Sequence, residues 1–236
     1  MGEAIVFTSG KGGVGKTTTV ANIGVGLSRL DKKVIMLDTD MGLRNLDVVM
    51  GLEDRIQYNL LDLLDNKCRL TQAIIRDKKN PNLYMIPASL RCDGILNYRD
   101  KLAILIEQLK KDFDYCFIDG PAGIEDGFLF SICVADRAVV VTTPCISSVY
   151  DASRVIDLLE ARGLEQVHLI INEYNERLIR KNHMLRKSDI EEVLGVKAIG
   201  LIPLDDKVVI SQNKGVPVLD FRCKSALAYQ NACVCL

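Results

Sequence analysis

The chain has 236 residues, of which 48% are hydrophobic and 26% are charged, and this composition excludes an intrinsically disordered chain. Its formal charge of −1 gives the whole molecule no attraction for nucleic acid or anionic lipid. No apolar run reaches the ~18 residues that span a bilayer, and residues 1–8 contain neither a basic leader nor a cleavage site, so we expect a cytoplasmic protein.

Short apolar runs recur along the chain, and each is followed by a longer stretch with helical spacing. The runs are residues 4–8, 34–38, 83–86, 115–119, 138–142, 168–172 and 198–202. This alternation predicts an α/β fold with a mostly parallel sheet, and the continuously apolar strands indicate helices on both faces. No linker or repeat divides the chain, so we expect one domain over residues 1–236.

Two of the helical stretches carry dense apolar stripes, which we interpret as core faces. They are Leu102, Leu105, Ile106 and Leu109 in one stretch, and Val155, Ile156, Leu158 and Leu159 in the other. His168 lies within a strand, where a hydrogen-bonded core histidine is the expected role.

A phosphate-binding motif follows the first strand. Residues 9–18 read S-G-K-G-G-V-G-K-T-T and fit G-x-x-x-x-G-K-[ST] between a strand and a helix. The glycines let successive N–H groups point inward, and the following helix directs its positive end at the same place, so a polyphosphate is the expected ligand. The predicted nucleotide-binding residues are Gly10, Lys11, Gly12, Gly13, Val14, Gly15, Lys16, Thr17 and Thr18. The alternative, an ordinary tight turn, leaves the fully matched pattern unexplained.

The two lysines of this motif have different predicted roles. Lys16 would contact the β- and γ-phosphates of ATP, while the Thr17 hydroxyl would ligate Mg²⁺. Lys11 has no task in the general pattern, and it is either a solvated side chain or a cation for the nucleotide of a second copy of the chain. In the second case it would stabilise charge on the transferred phosphoryl group, as an arginine finger does.

Three aspartates close predicted strands or follow them. Asp38 and Asp40 are two positions apart, so an extended backbone points both to the same side. We predict that Asp38 holds Mg²⁺ through water and that Asp40 orients the attacking water, with a helix N-cap as the alternative for each. Asp119 ends a buried strand, where a nearby cation such as Mg²⁺ is expected to compensate its charge.

The loop K-G-G-V-G-K-T-T resembles the deviant-Walker ATPases of the MinD/ParA family. The resemblance implies a P-loop fold, ATP-dependent homodimers, and a Lys11 that reaches into the partner subunit. It also implies that Asn172 and Pro203 lie against the adenine ring. Turn formation is the alternative for both residues.

Three longer stretches single out the MinD branch of this family. They are D-T-D-M-G-L-R-N-L-D-V-V-M-G, N-L-Y-M-I-P-A-S and D-G-P-A-G-I-E. The resemblance implies an ATPase that places the division septum by recruiting a MinC-type division inhibitor to the inner face of the cell membrane, with a MinE-type activator or polar anchor that stimulates hydrolysis. Glu125 and Asp151 fall where family members expose partner-binding residues, although solvated surface acids are the simpler interpretation.

The end of the chain departs from this branch. MinD proteins finish in an amphipathic helix that is basic on one face, whereas no Lys or Arg follows Lys224 here. We therefore expect this membrane-targeting helix to be absent from the chain, and its membrane affinity to be weak.

Three other functions remain open. A ParA-type DNA or cargo partitioning ATPase would need a basic surface, for which residues 177–187 are the candidate, but the net charge does not favour nucleic acid. An iron–sulfur carrier would need paired cysteines, and Cys92 and Cys133 are isolated. A scaffold that binds nucleotide without hydrolysis is the third.

The cysteines indicate no disulfide framework. We expect buried thiols at the scattered positions Cys68, Cys92, Cys116, Cys133, Cys145 and Cys223. Cys233 and Cys235 form a weak metal signal, because a closed zinc site needs four ligands.

Overall fold

The computed structural model of the protein describes residues 1–91 and 94–236. Its strands are β1 (Glu3–Ser9), β2 (Val34–Asp38), β3 (Ile75–Arg76), β4 (Leu83–Ile86), β5 (Tyr115–Ala122), β6 (Arg137–Thr142), β7 (Val167–Tyr174) and β8 (Ala198–Pro203). Its helices are α1 (Lys16–Ser28), α2 (Leu46–Met50), α3 (Leu60–Leu64), α4 (Leu70–Ala73), α5 (Arg99–Leu109), α6 (Asp126–Ile132), α7 (Ile146–Glu160), α8 (Glu176–Arg180), α9 (Lys187–Leu194), α10 (Asp206–Asn213) and α11 (Lys224–Cys235). Within these described ranges, none of the helices is both long and apolar enough to cross a membrane.

All eight strands form one sheet, in the order β3-β4-β2-β5-β1-β6-β7-β8. Neighbouring strands run parallel except β3, which pairs antiparallel with β4. The predicted α/β fold is therefore confirmed, and the seven predicted runs are β1, β2 and β4 to β8. The two-residue strand β3 was not predicted, because two residues carry no periodic signal.

The strands are continuously apolar because both faces of the sheet are covered. Along β2, Ile35 and Leu37 pack into one core cluster with α5 and α7, whereas Val34 and Met36 pack into a second cluster with α1 and α11. Successive side chains of a strand point to opposite faces, so each strand must be apolar at every position. This double layer fixes the carboxyl ends of β1, β2 and β5 at one edge of the sheet.

The predicted core stripe on α5 is buried. In the stripe on α7, Val155, Ile156 and Leu159 are buried and Leu158 is half-buried. His168 is half-buried, with its Nε2 atom 3.2 Å from Nη1 of Arg137. Burial and the Arg137 charge lower the pKa of His168 below its usual value.

The expectation of buried thiols is wrong at two cysteines. Cys116 is buried, but Cys133 and Cys145 are exposed, because each lies at the end of a helix and not on its core face. Cys68 and Cys223 are half-buried, and Cys92 lies outside the described residues. Of the C-terminal pair, Cys233 is buried and Cys235 is exposed.

Helix α5 offers a matched test of the core. Ile106 is 1% exposed and Ile104 is 71% exposed on the same helix. We expect Ile106→Ala to lower the free energy of unfolding by about 2 to 5 kcal/mol, because it leaves a cavity in the core. Ile104→Ala, as the control, should change it by no more than about 0.5 kcal/mol. Urea denaturation measures both, and equal losses would contradict this placement of α5.

Candidate functional site

The phosphate-binding loop connects the end of β1 to the start of α1. Gly13 and Gly15 adopt φ angles of 79° and 86°, which L side chains rarely adopt. A Cβ atom on Gly15 would also lie 2.2 Å from Nδ2 of Asn172. The loop backbone is therefore curled at the N-terminus of α1, where N–H groups and the helix dipole favour an anion.

Two neighbouring elements brace this loop. Asn172 on β7 donates a hydrogen bond from Nδ2 to the carbonyl of Val14 at 2.9 Å. On the other side, a Cβ on Gly10 would lie 2.4 Å from the carbonyl oxygen of Asp151, so the backbone of α7 touches the loop. Asn172 thus has a supporting role that the sequence did not reveal, and its contact with adenine stays a prediction.

Lys16 and Asp119 form a buried ion pair at the base of the loop. Lys16 Nζ lies 2.8 Å from Asp119 Oδ1, and the side chains are 8% and 1% exposed. The second carboxylate oxygen of Asp119, Oδ2, is buried without a hydrogen-bond partner among the described residues. A buried unpaired oxygen is costly, so this atom is suited to a further cation or a bound water.

Asp38 lies beside Asp119 in the sheet register, at the end of β2. Its Oδ1 atom accepts the N–H of Asp40 at 3.0 Å, and its Oδ2 atom accepts the N–H of Leu46 at 3.2 Å. Burial, followed by the charge of Asp119, raises the pKa of Asp38 to about 7. Leu46 is the first residue of α2, so Asp38 accepts an N–H group at the start of this helix, as the capping alternative requires. The N-cap residue itself is Asn45.

Asp40 lines a cleft of about 500 Å³ next to the loop. Burial raises the pKa of Asp40, the nearby Lys16 ammonium lowers it, and the Asp119 carboxylate raises it. Its side chain makes no cap on α2, for which Asn45 is the N-cap residue. The cleft is also lined by Gly12, Gly13, Val14, Gly15, Lys16, Thr17, Thr18, Leu43, Val48, Pro121 and Gln212.

These residues fit a magnesium–phosphate ligand better than a metal alone. The Lys16 ammonium group pairs with Asp119 and lowers the pKa of Asp40, and Asp38 lies beside Asp119. Their oxygens are hard ligands, which Mg²⁺ prefers. Among the described residues, no group of three His, Cys, Asp or Glu side chains could hold an ion alone. Mg²⁺ usually needs phosphate oxygens and waters in addition to one or two protein groups, so this donor set suits it with a bound nucleotide.

Pro203 lies at the carboxyl end of β8, three strands from β1. Its carbonyl accepts a hydrogen bond from Ser225 Oγ at 2.9 Å. The residue lines a cavity of about 720 Å³ with Tyr174, Leu204 and Leu227, large enough for a flat ring. This position is compatible with the predicted adenine contact, which stays a prediction.

The remaining predicted residues differ in how far they are exposed. Lys11 and Gly12 are exposed, and Thr17 is half-exposed on the first turn of α1. Glu125 is the exposed N-cap residue of α6, and Asp151 is half-buried behind Gly10.

One polar residue of the site was missed by the sequence analysis. Gln212 on α10 donates a hydrogen bond from Nε2 to the hydroxyl of Thr18. A single glutamine on a surface helix carries no signal, so only the packing of α10 against the loop reveals it.

The chain matches a known family and known proteins over most of its length. The family model described as an AAA domain matches residues 2–178. The septum site-determining protein MinD of Synechocystis sp. is 46% identical over 233 residues, which cover 98% of this chain and 88% of that protein.

Solved structures give the same result. A chain of the MinC:MinD cell division protein complex of Aquifex aeolicus has a TM-score of 0.91 and 39% identity, covering 98% of this chain and 94% of its own. The septum site-determining protein MinD of Pyrococcus horikoshii, complexed with Mg-ADP, has a TM-score of 0.88 and 29% identity, covering 99% and 95%.

The raised pKa of Asp38 predicts a pH-dependent stability in the absence of nucleotide. The folded-state pKa of about 7 exceeds the ordinary 3.8, so between these pH values the folded state binds more protons and its stability falls as the pH rises toward 7. The slope is at most about 1.4 kcal/mol per pH unit. Relative to the wild type, Asp38→Asn should gain stability between about pH 4 and pH 7, and no further above that range. Urea denaturation at several pH values measures this gain, and a constant difference between the two proteins would contradict the assignment.

Proposed function

The chain belongs to the family of septum site-determining MinD proteins, and from that premise we propose that it is an ATPase that acts as a switch in placing the division septum. The observation that carries this proposal is the contrast between the two loop lysines. Lys16 is buried against Asp119, while Lys11 is exposed at the edge of the same loop. In this proposal Lys16 would serve the nucleotide of its own subunit, and the exposed Lys11 would serve the nucleotide of a second subunit.

Binding of Mg-ATP would exchange the partners of Lys16. The ammonium group of Lys16 would move from Asp119 to the phosphate groups, and the amide groups of residues 10–16 would hold the phosphate chain. Thr17, and Asp38 and Asp119 through water, would hold Mg²⁺, which neutralises charge on the phosphates. The Oδ2 atom of Asp119, which has no hydrogen-bond partner among the described residues, supports this arrangement, and so does the pKa of Asp38, which burial and then the Asp119 charge raise.

Hydrolysis needs an oriented water and stabilisation of the developing charge. Asp40 lies in the cleft with Lys16 and Thr17, where it would orient the attacking water. Lys11 of the partner copy would then bring a cation to the transferred phosphoryl group. Turnover in this scheme requires a homodimer, and hydrolysis would reset the dimer because it removes the phosphoryl group that Lys11 of the partner copy contacts.

Exposed apolar side chains near the cleft support a nucleotide-dependent homodimer. Leu43 and Val48 line the cleft and are 68% and 51% exposed. Such side chains close to a charged site are suited to burial against another protein surface. The two-fold contact would bring each Lys11 toward the opposite nucleotide.

The partners follow from the relatives. Because the Aquifex aeolicus relative forms a MinC:MinD complex, we propose a MinC-type division inhibitor as the partner of the ATP-bound dimer. A MinE-type activator or polar anchor would stimulate hydrolysis and release. Nucleic acid is not favoured as a partner, since the basic residues on α8 include an Arg180 that pairs with Glu176.

Lys11→Ala should separate binding from dimerisation. We expect the variant to bind Mg-ATP, because Lys16 remains, but to form no ATP-dependent dimer and to show no stimulated turnover. Light scattering after size exclusion measures the dimer, and calorimetry measures binding. Lys32→Ala, which removes another exposed lysine, should behave as the wild type. Normal turnover by Lys11→Ala would refute the role in the partner subunit.

Asp40→Ala should give the opposite behaviour. Without the water-orienting carboxylate, we expect dimers to form with Mg-ATP and to persist, while hydrolysis slows by about 100-fold or more. The same light-scattering measurement, followed over time with phosphate release, tests this. A variant that cannot bind Mg-ATP at all would show that Asp40 serves binding instead.

A further inference from the structure

The segment between β2 and α2 has an unusual backbone. Gly42 has a φ angle of 94°, and two residues later Arg44 has a φ angle of 50°. A side chain larger than that of glycine is disfavoured in this region, at a cost of the order of 1 kcal/mol. An arginine persists in such a conformation where other contacts hold it there.

The contact that holds Arg44 is a buried ion pair. Both Nε and Nη2 of Arg44 donate to Oδ2 of Asp47, at 2.9 Å and 2.6 Å. The side chain of Asp47 is 0% exposed, and its other oxygen, Oδ1, has no partner among the described residues. Arg44 therefore compensates the charge of the buried Asp47 carboxylate. Removing one partner of such a pair strongly destabilises the structure around it.

The same segment is tied to Asp38 at both ends. Asp38 accepts the N–H groups of Asp40 and Leu46, and the carbonyl of Asp40 accepts the N–H groups of Leu43 and Arg44 at 3.4 Å and 3.5 Å. The backbone from residue 40 to residue 46 is therefore one hydrogen-bonded unit. A displacement of Arg44 displaces Asp40.

We propose that Arg44 is a positioning residue for ATP hydrolysis: its ion pair with Asp47 holds residues 40–46 so that Asp40 lies in the cleft beside Lys16. This inference rests on the proposed function. Arg44 does not line the nucleotide cleft, whereas Asp40 does. Its effect therefore passes through Asp40 and concerns turnover more than nucleotide binding.

Steady-state kinetics with Mg-ATP separate an effect on turnover from an effect on nucleotide binding. We expect Arg44→Gln and Asp47→Asn each to lower kcat by about tenfold or more with KM changed by no more than about twofold, since binding by the phosphate loop is intact. Arg44→Lys keeps a cation for Asp47 and should recover most of kcat. The double variant Arg44→Gln/Asp47→Asn should be no slower than the slower single variant, because one ion pair is removed in all three.

Limited trypsin digestion tests the ion pair without relying on hydrolysis. In the nucleotide-free wild type, Arg44 is held against Asp47 with its side chain 25% exposed. Asp47→Asn should speed cleavage after Arg44 several-fold. Asp220→Asn, which breaks the ion pair between Arg29 and Asp220, is the matched control and should leave that cleavage unchanged.

Three results would contradict the positioning role of Arg44. Wild-type kcat in Arg44→Gln, additive losses in the double variant, or an unchanged cleavage rate in Asp47→Asn would overturn it. If Arg44→Gln does not fold, the comparison of Asp47→Asn with Arg44→Lys decides in the same way. A wild-type chain that does not hydrolyse ATP would overturn the proposed function and this inference with it, whereas an active wild type with an active Arg44→Gln would overturn the inference alone.

Discussion

The buried ion pair between Lys16 and Asp119 is the interaction on which the site depends. One ammonium group serves a region that also contains Asp38 and Asp40, so the carboxylates outnumber the cation. Burial raises the pKa of Asp38 most, and the charge of the neighbouring Asp119 raises it further, because a buried carboxylate beside another one is hard to ionise. A ligand that brings both a divalent cation and phosphate groups relieves this imbalance and also fills the ring of loop amides. Binding of such a ligand would therefore also compensate the excess negative charge of the buried carboxylates.

Sheet topology brings these groups together from distant parts of the sequence. The central order β2-β5-β1 places the carboxyl ends of three strands side by side, with Asp38 and Asp119 in register. The parallel arrangement is necessary, since antiparallel neighbours would put one of the two aspartates at the opposite edge. The two apolar layers that cover the sheet keep these ends fixed. The core therefore contributes to the site by holding its charges at short range against their mutual repulsion.

The sequence was sufficient to predict the strands and the phosphate loop, which follow from residue patterns, but not the features that depend on single contacts between distant residues. The strands were predictable because helices on both faces require a run of apolar residues, and the phosphate loop because its glycines allow φ angles that other residues avoid. The bracing of Val14 by Asn172 and the contact of Gln212 with Thr18 were not predictable. Each joins elements whose separation in space depends on the whole sheet. Cys133 and Cys145 were predicted to be buried and are exposed. The apolar residues around them in the sequence do not indicate which side of a helix end faces water.

Backbone conformations that disfavour side chains occur on both sides of the nucleotide cleft. Gly13 and Gly15 lie on the phosphate loop, and Gly42 and Arg44 lie on the segment that carries Asp40. The glycines meet this requirement at little steric cost, whereas Arg44 depends on its ion pair with Asp47. The Arg44 conformation is open to change when that ion pair is weakened, whereas the glycine loop is held by the Asn172 hydrogen bond to Val14 and by the backbone of α7. The two sides of the cleft therefore differ in kind: the phosphate-binding loop is braced by β7 and α7, and the segment that carries Asp40 includes a charge contact that a rearrangement can break.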